Sequence, residues 1–411
     1  MSEWKKVKLG DVSLCIQPGP FGTQLHNSDY TDKGVPVIMP KDMIDGRVLH
    51  DKLEHVSEDT ANRISRHKVD AGDIMVARKG DVRKCIYIRE SEEGWITGSD
   101  CLKMQLNQKI CNSKFIYFQL RSPYIGAWLQ QVSKGATMPS LNTSLLSNIE
   151  IVLPPISTQN NVAEILSRYD SLIENYQKQI KLLEEAAQRL YKEWFVDLRF
   201  PGYENTKIVD GVPEGWEKKK LEDIFSYVRG RSYTSKELSD SGTILVNLKN
   251  IQAFGGYKRD AEKRYLGDYK QEQSLEVGDL IMGVTDMTQE RRLVGHVALI
   301  PDFDEPATFS MDLIKILPFE LSKSFLYCAM RFGGISKQIS PLANGVNVLH
   351  LKPEAMMGIE MVVPSKELVN HFDDYIKNNF NTILYLQNQI RYLTEARDRL
   401  LPKLMSGEIT V

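Results

Sequence analysis

The chain has 411 residues, of which 42% are hydrophobic and 26% are charged, and its formal net charge is −2. Such a length exceeds that of one ordinary domain, and such a composition excludes a disordered or fibrous chain. The first residues lack an apolar signal core, and no run reaches the roughly 18 apolar residues of a membrane span, so we expect a cytoplasmic protein.

The sequence contains no recognisable metal or catalytic motif. Its five cysteines form no C-x-x-C pair and its seven histidines no H-E-x-x-H, so we predict neither a disulfide framework nor a metal site. Neither G-x-x-x-x-G-K-[ST] nor G-x-G-x-x-G occurs. The stretch "LPPI" (153–156) lacks the polar and aromatic residues of the tetrapeptide with which amino-methyltransferases hold a flipped base. We therefore predict no catalytic residue and no cofactor in this chain.

The first 156 residues predict a domain of mixed α and β structure. Short β-rich runs alternate with Gly-Asp turns, and "SKFIYFQLRS" (113–122) predicts an aromatic-bearing helix. A long helix is predicted over 157–200, and a linker rich in Pro and Gly follows it. A second domain over 201–364 has the same kinds of element, and a second long helix is predicted over 365–411.

The two halves of the chain repeat each other at a nearly constant offset. In "IENYQKQIKLLEEAAQRL" (173–190) and "ILYLQNQIRYLTEARDRL" (383–400), nine of 18 positions are identical at an offset of 210, where ordinary composition gives about one. "IEIVLP" (149–154) answers "IEMVVP" (359–364) at the same offset. This duplication predicts an α+β fold with a pseudo-two-fold internal repeat, in which two similar mixed α/β domains are separated by two long helices.

Both long helices carry an apolar stripe with a 3.5-residue period. In the first, the positions from Leu166 to Trp194 step by three and four without a slip, and the second repeats this register from Ile376 to Leu404. Because this period is that of a coiled-coil seam, we predict an antiparallel coiled coil; the simpler alternative is that each stripe packs on its own domain. Pro402 predicts that the second helix ends nearby, since a helix interior disfavours proline. Two similar domains held apart suit a target with two separated halves, such as duplex DNA.

Several motifs, in the same order in both halves, resemble the specificity subunits of type I restriction-modification systems. They are "GPFGTQL" (19–25), "GDIMVARKG" (72–80) and "GATMPSLN" (135–142) in the first half, with "VRGRSY" (228–233) and "GDLIMGVTDMTQ" (278–289) in the second. The resemblance covers essentially the whole chain. It implies two target recognition domains, 1–156 and 201–364, each reading one half of a split, asymmetric DNA sequence. The helices over 157–200 and 365–411 would then set the gap between the halves.

The same resemblance implies the partners of the chain. These are double-stranded DNA, two methyltransferase (modification) subunits, and restriction subunits with endonuclease and translocase activity. S-adenosylmethionine would be bound by the methyltransferase subunits. Catalysis would then lie on the partners, and this chain would be a non-catalytic specificity subunit.

Basic and polar loops supply the candidate DNA-binding residues. Lys and Arg bind phosphates, whereas Arg, Asn, Gln, Asp, Ser and Thr read base edges. The loop "ARKGDVRK" (77–84) and its counterpart "TDMTQERR" (285–292) keep their polarity but differ in identity, as readers of two different half-sites need to. Taken alone, each is more often solvated surface, and the glycines of the other loops could equally be plain turns. The candidates are Phe21, Thr23, Lys41, Arg78, Lys79, Arg83, Lys84, Lys134, Thr137, Arg231, Tyr233, Lys249, Thr285, Asp286, Thr288, Gln289, Arg291, Arg292, Asn344 and Asn347.

Two other functions compete with DNA recognition on the residues alone. A protein-interaction scaffold, with peptide-binding domains on an oligomerising coiled coil, agrees with the near-neutral charge, and salt-dependent binding to duplex DNA would discriminate against it. A nuclease or methyltransferase acting alone would need catalytic carboxylates or a methyl-donor loop that the sequence does not contain.

Overall fold

A computed structural model describes residues 4–132 and 140–411 of the protein. The residues form two compact units: unit 1 contains Met1–Leu172 and Thr394–Val411, and unit 2 contains Ile173–Leu393. Nowhere in the described part of the chain is a helix long and apolar enough to cross a membrane.

Unit 1 consists of short strands, short helices and the ends of two long helices. Its strands are β1 Lys5–Lys8, β2 Ser13–Pro18, β3 Tyr30–Thr31, β4 Val35–Ile38, β5 Met43–Ile44, β6 Arg47–Val48, β7 Glu54–Val56, β8 Ile74–Ala77, β9 Cys85–Tyr87, β10 Ile96–Thr97, β11 Cys101–Leu106 and β12 Glu150–Leu153. The helices that begin in this unit are α1 Glu58–Arg63, α2 Ser113–Leu120, α3 Pro123–Val132, α4 Thr143–Ser147 and α5 Ile156–Tyr191.

Unit 2 is built in the same way. Its strands are β13 Ile208–Val209, β14 Val212–Pro213, β15 Glu217–Lys220, β16 Phe225–Arg229, β17 Leu238–Ser239, β18 Thr243–Val246, β19 Lys263–Tyr265, β20 Leu280–Gly283, β21 Thr285–Asp286, β22 Val297–Leu299, β23 Ala307–Phe309, β24 Leu313–Pro318, β25 Leu349–His350 and β26 Glu360–Val363. The helices that begin in it are α6 Lys323–Arg331, α7 Ile335–Ile339 and α8 Lys366–Ser406.

The sheets of the two units have the same topology, which confirms the internal repeat. The order β2-β11-β8-β9 in unit 1 corresponds to β16-β24-β20-β22 in unit 2, and all pairs in both sheets are antiparallel. The order β10-β4-β7-β3 corresponds to β23-β18-β19-β17, and each contains one parallel pair, β10 with β4 and β23 with β18. A two-stranded antiparallel ribbon pairs β1 with β12 in unit 1 and β15 with β26 in unit 2.

The central strands are apolar on both faces because each sheet lies between two cores. In β8, Ile74 and Val76 lie in one core of unit 1, whereas Met75 and Ala77 lie in another. In unit 2, Leu280 of β20 lies in one core and the following residue lies in a second core. Successive side chains of a strand point to opposite faces, so these continuous apolar runs read as buried central strands.

The aromatic helix of each half packs beneath its sheet and carries an arginine linked to α5. Phe115 of α2 is buried, Asn112 caps this helix, and the side chain of Arg121 donates to the Tyr117 hydroxyl at 2.6 Å and to the Asp170 carboxylate at 3.2 Å. The counterparts in unit 2 repeat the arrangement. They are Phe325, the cap Ser322, and Arg331 with Tyr327 and Glu184, the last pair 2.9 Å apart.

The two long helices pack against each other inside each unit. In unit 1, Leu166 of α5 shares a core with Leu404 of α8, and Arg397 of α8 binds the α5 carboxylate of Asp170 at 2.6 Å. In unit 2, the ring of Trp194, in the π-helical turn Lys192–Val196 that follows α5, contacts the rings of residues 371, 372 and 375 of α8. The apolar stripes therefore do both things that the sequence suggested. They hold the two helices together, and they pack on the domains.

The prediction that Pro402 lies near the end of α8 is confirmed. The helix continues to Ser406 with Pro402 inside it. Leu401, Leu404 and Met405 are buried in the core of unit 1, so tertiary packing holds the last turn despite the missing backbone donor of proline.

Candidate nucleic-acid interface

In unit 1, two loops that are far apart in the sequence meet beyond the end of β8. The backbone of Lys79 forms an isolated β-bridge with Ser140, and Leu141 N–H donates to the Arg78 carbonyl at 2.8 Å. The loop over 77–84 is therefore held against the loop that leads into α4. The candidates Lys134 and Thr137 lie outside the described residues.

A third loop, which follows β2, reaches the same place. The Arg78 guanidinium lies over the Phe21 ring at 5.9 Å, and both Phe21 and Thr23 are exposed. Gly19 permits the approach, because a Cβ at this position would lie 1.9 Å from the Gly98 carbonyl oxygen. The structure thus brings together three stretches that the sequence could offer only as separate candidates.

Three of the basic candidates in unit 1 form ion pairs, and a fourth binds a backbone carbonyl. Lys79 lies 2.9 Å from Asp100 and Lys41 lies 2.8 Å from Glu54, a hydrogen bond that raises the lysine's pKa. Arg83 lies 2.9 Å from Asp81, and its hydrogen bond lowers the pKa of that carboxylate. The Lys84 ammonium donates to the Pro40 carbonyl at 2.7 Å. Exposed pairs of this kind stabilise a protein by only about 0–1 kcal/mol, so these cations can exchange partners at little cost.

In unit 2, the loop after β20 meets the segment before residue 351 in the equivalent way. Strand β21 pairs with β25 through Thr285 and His350, and the Leu351 N–H donates to the Val284 carbonyl at 2.8 Å. The Gln289 amide donates to the Val346 carbonyl at 2.9 Å. The offset of 210 between Ser140 and His350 matches the repeat in the sequence, so both units place the same two loops side by side.

Asp286 organises this loop from inside. It is fully buried, and its carboxylate accepts hydrogen bonds from the backbone amides of Thr288 at 2.8 Å and Val294 at 3.1 Å, and from that of Leu293. Burial alone would raise the pKa of Asp286, but the hydrogen bonds from the amides lower it overall. Thr285 is also buried. These two candidates shape the loop, whereas the side chains at its surface belong to its later residues.

Those later residues differ in exposure. Gln289 and Arg292 are exposed, and Arg292 forms an ion pair with Glu290. Thr288 and Arg291 are half-buried, and Arg291 has a left-handed backbone with φ of 51°. Beside this loop, Asn344 and Asn347 are exposed in the turn that precedes β25. The backbone of Asn344 pairs with that of His350 on both its N–H and its carbonyl, at 3.0 and 2.9 Å.

The loop after β16 is the counterpart of the Phe21 loop. The exposed Arg231 forms a backbone bridge with Ser310, and its side chain donates to the Tyr265 hydroxyl at 3.4 Å. The Lys263 ammonium lies 4.9 Å from the Tyr233 ring centre and donates to its hydroxyl at 2.7 Å.

Lys41 and Lys249 occupy equivalent 3₁₀ turns, Pro40–Asp42 and Leu248–Asn250, and both side chains are exposed. In each turn the residue after the lysine accepts a hydrogen bond from the backbone amide that precedes the turn, at 2.9 Å in both units. The two lysines thus lie in 3₁₀ turns that are stabilised by the same side-chain-to-backbone hydrogen bond.

Sequence reasoning missed two carboxylates that lie between these loops. Asp100 and Asp312 each stand three residues before a buried lysine of the central strand, Lys103 in β11 and Lys315 in β24. The carbonyl of Asp100 accepts from Arg78 N–H at 2.7 Å, and that of Asp312 accepts from the equivalent backbone amide at 2.8 Å. A comparison of "SDCLK" with "SMDLIK" gives a weak signal for them, because the insertion hides the alignment.

The described residues contain no group of three or more His, Cys, Asp or Glu side chains placed to hold a metal ion. The surfaces formed by the loops instead combine cations with amide, hydroxyl and carboxylate groups. Such groups bind phosphates and the edges of bases.

Proteins that are similar in sequence to this chain are also related to DNA specificity. The family model of the type I restriction modification DNA specificity domain matches residues 1–185. The type I restriction enzyme MjaIX specificity subunit of Methanocaldococcus jannaschii is 24% identical over 421 residues, which cover 100% of this chain and 94% of that protein. The HindI specificity subunit of Haemophilus influenzae is 22% identical over 478 residues, which cover 100% of both proteins.

A solved structure shares the fold. The crystal structure of the type I restriction-modification S subunit from M. genitalium superposes with a TM-score of 0.59 at 16% identity, covering 98% of this chain and 96% of that one. The fold is duplicated, its long helices are paired, and each half has a polar loop surface. Together with the matches, these features define the class of DNA-specificity subunits, which are not themselves enzymes. These matches confirm the resemblance noted in the sequence, which is to the specificity subunits of the type I restriction-modification systems.

Proposed function

We propose that this subunit reads a split, asymmetric DNA sequence, one half with each copy of the loop surface. The recognition domains are residues 1–156 and 201–364. The helices over 157–200 and 365–411 act as spacers that fix the gap between the two halves. The observation that carries the proposal is that three separate loops converge in unit 1 and that two of their counterparts pair in the same way in unit 2.

The exposed candidates divide into two roles. Lysines and arginines at the loop edges bind phosphates, which supplies affinity without sequence information. Amide and hydroxyl side chains beside them read base edges. The two units differ in the loop after the Gly-Asp turn, where Thr285 takes the place of Lys79 and the exposed Gln289 follows it. Two surfaces with one frame and different side chains would read two different half-sites.

The partners follow from the family. Two methyltransferase subunits would bind this chain and carry S-adenosylmethionine, and restriction subunits would join them for cleavage, all in the cytoplasm. The exposed sides of α5 and α8 are the surface that we assign to this scaffolding, because the faces of these helices that are buried hold each unit together. Leu182 and Tyr385, which are 64% and 61% exposed, lie on these outer sides.

Methylation mapping tests the proposal. The chain would be expressed with its cognate methyltransferase subunit in a host that lacks its own restriction-modification system, and the methylated genomic positions would be sequenced. We expect a new split, asymmetric motif that disappears when the chain is left out. Methylation by an active methyltransferase that does not depend on the chain would contradict the proposal.

A further inference from the structure

The carboxylates of Asp100 and Asp312 occupy equivalent places at the centre of the two loop surfaces. Each aspartate immediately precedes the first residue of an inner strand of its sheet, Cys101 in β11 or Leu313 in β24. Backbone hydrogen bonds fix the segment on both sides. In unit 1 these run from Arg78 N–H to the Asp100 carbonyl and from Gly19 N–H to the Cys101 carbonyl, at 2.7 and 3.0 Å.

Unit 2 holds its carboxylate with the same backbone contacts. The Val284 N–H donates to the Asp312 carbonyl at 2.8 Å, and the Gly230 N–H donates to the Leu313 carbonyl at 3.2 Å. A side chain that starts from such a braced backbone can be held to the tolerance that base recognition requires.

The side-chain partner of the carboxylate differs between the units. Asp100 Oδ1 lies 2.9 Å from the Lys79 ammonium, whereas Asp312 Oδ1 accepts a hydrogen bond from the Thr285 hydroxyl at 3.0 Å. The repeat has therefore kept the carboxylate while its local donor changed from a cation to a neutral hydroxyl. A role limited to pairing with that donor does not explain why the acid is the common element.

The accessibility of the two acids agrees with a binding role. The Asp100 side chain is 40% exposed, and Asp312 is half-buried beside the exposed Met311. Each contact above engages only Oδ1. A carboxylate on a surface that binds phosphates repels the DNA backbone unless it meets a hydrogen-bond donor. The donors that duplex DNA offers in its major groove are the amino groups at N4 of cytosine and N6 of adenine.

We propose that Asp100 and Asp312 are specificity-determining residues, each accepting a hydrogen bond from the exocyclic amino group of one base in its own half-site. This inference rests on the proposed function and adds two residues to it. In unit 1, Lys79 would turn from Asp100 to a phosphate as DNA binds, because their pair is exposed and weak. In unit 2, the hydroxyl of Thr285 keeps the acid oriented while the second oxygen reads the base.

The test is the methylated motif of variants in the complete complex with the methyltransferase subunit. Asp312→Asn and Asp100→Asn keep the side-chain shape but replace one acceptor oxygen with a donor. Asp223→Asn is the matched control, since it makes the same change in an exposed turn before β16, at the opposite end of that sheet. Methylated motifs and their single-base variants would be counted for all four proteins.

We expect each variant to change one position in one half-site. Asp312→Asn should lower discrimination at that position about tenfold or more, and leave the other half-site and the gap as in the wild type. Asp100→Asn should do the same in the other half-site, so that each variant controls for the other, and Asp223→Asn should keep the wild-type motif.

Three results would overturn the inference. They are unchanged motifs in both variants, a change at the same position in both, and a general loss of methylation without an altered position. A wild-type chain that directs no split motif at all would contradict the proposed function itself, so the two failures can be told apart.

Discussion

Neutralising Lys79 should weaken DNA binding by an amount that depends on salt. In the free chain this ammonium pairs with Asp100 at 2.9 Å, and the two side chains are 48% and 40% exposed. A pair with that exposure contributes at most about 1 kcal/mol to stability. Lys79→Gln should therefore leave the fold intact while removing a phosphate contact.

The magnitude follows from counterion release. Each neutralised phosphate contributes about −0.9 to the slope of log Kobs against log salt concentration. Between 50 and 200 mM salt, one contact thus accounts for a change in affinity of about 3.5-fold. We expect the slope for Lys79→Gln to be shallower than that of the wild type by about 0.9, for specific and for unrelated duplexes alike.

The assay is fluorescence anisotropy of a labelled duplex with the complex at several salt concentrations. Lys109→Gln is the control, because Lys109 is an exposed lysine beyond the far end of β11, the strand that Asp100 precedes. Its slope should equal that of the wild type. Parallel lines for Lys79→Gln and the wild type would refute the assignment of Lys79 to a phosphate.

Three further changes test how the fold supports the surface. Gly19→Ala should lower the unfolding free energy by about 1–3 kcal/mol, because the new Cβ would lie 1.9 Å from a backbone oxygen. Gly126→Ala, whose Cβ would have nothing within 4 Å, should be neutral or stabilising in thermal melts. Equal melting temperatures of the two variants would contradict this. His67 is buried, and its pKa is lowered to about 4 by burial and by the nearby arginine. Because the unfolded chain binds a proton at higher pH than the folded chain, the stability of the wild type should fall relative to that of His67→Gln by up to about 3 kcal/mol as pH drops from about 6.5 to 4. Equal changes in the unfolding free energies of both proteins, measured with urea across that range, would contradict this. Arg331→Met breaks a partly buried ion pair and should destabilise unit 2 by about 2 kcal/mol in urea unfolding, whereas Arg399→Met, whose side chain is 82% exposed, should change stability by less than about 0.5 kcal/mol.

The sequence predicts the architecture well because the chain contains it twice. An offset of 210 that holds through the helices and the strand before each of them requires two copies of one fold, and the matching strand orders confirm this. The seam positions Leu166 and Ile383 are buried, as a 3.5-residue period requires. The last turn of α8 extends past Pro402 because the packing of Leu404 is tertiary, whereas the propensity of Pro402 is local.

The candidate surface is less predictable, because polarity does not report exposure. Asp286 and Gln289 stand in one polar run, yet one is fully buried as an acceptor for backbone amides and the other is exposed. Nor does a single sequence show that the Phe21 loop meets Arg78, a contact between residues 57 positions apart. Asp100 and Asp312 were missed for the same reason, since only the backbone pairing aligns them.

Lengthening both long helices tests the spacer role that we propose for them. One heptad would be inserted after Leu172 in α5 and another before Thr394 in α8, at the chain positions where the two compact units divide, so that the contacts within each unit are kept. Seven residues of helix add about 10 Å, or about three base pairs of DNA. Mapping the methylated motif of this variant should give the wild-type half-sites with a longer gap. Altered half-site sequences, or wild-type methylation with an unchanged gap, would contradict the account.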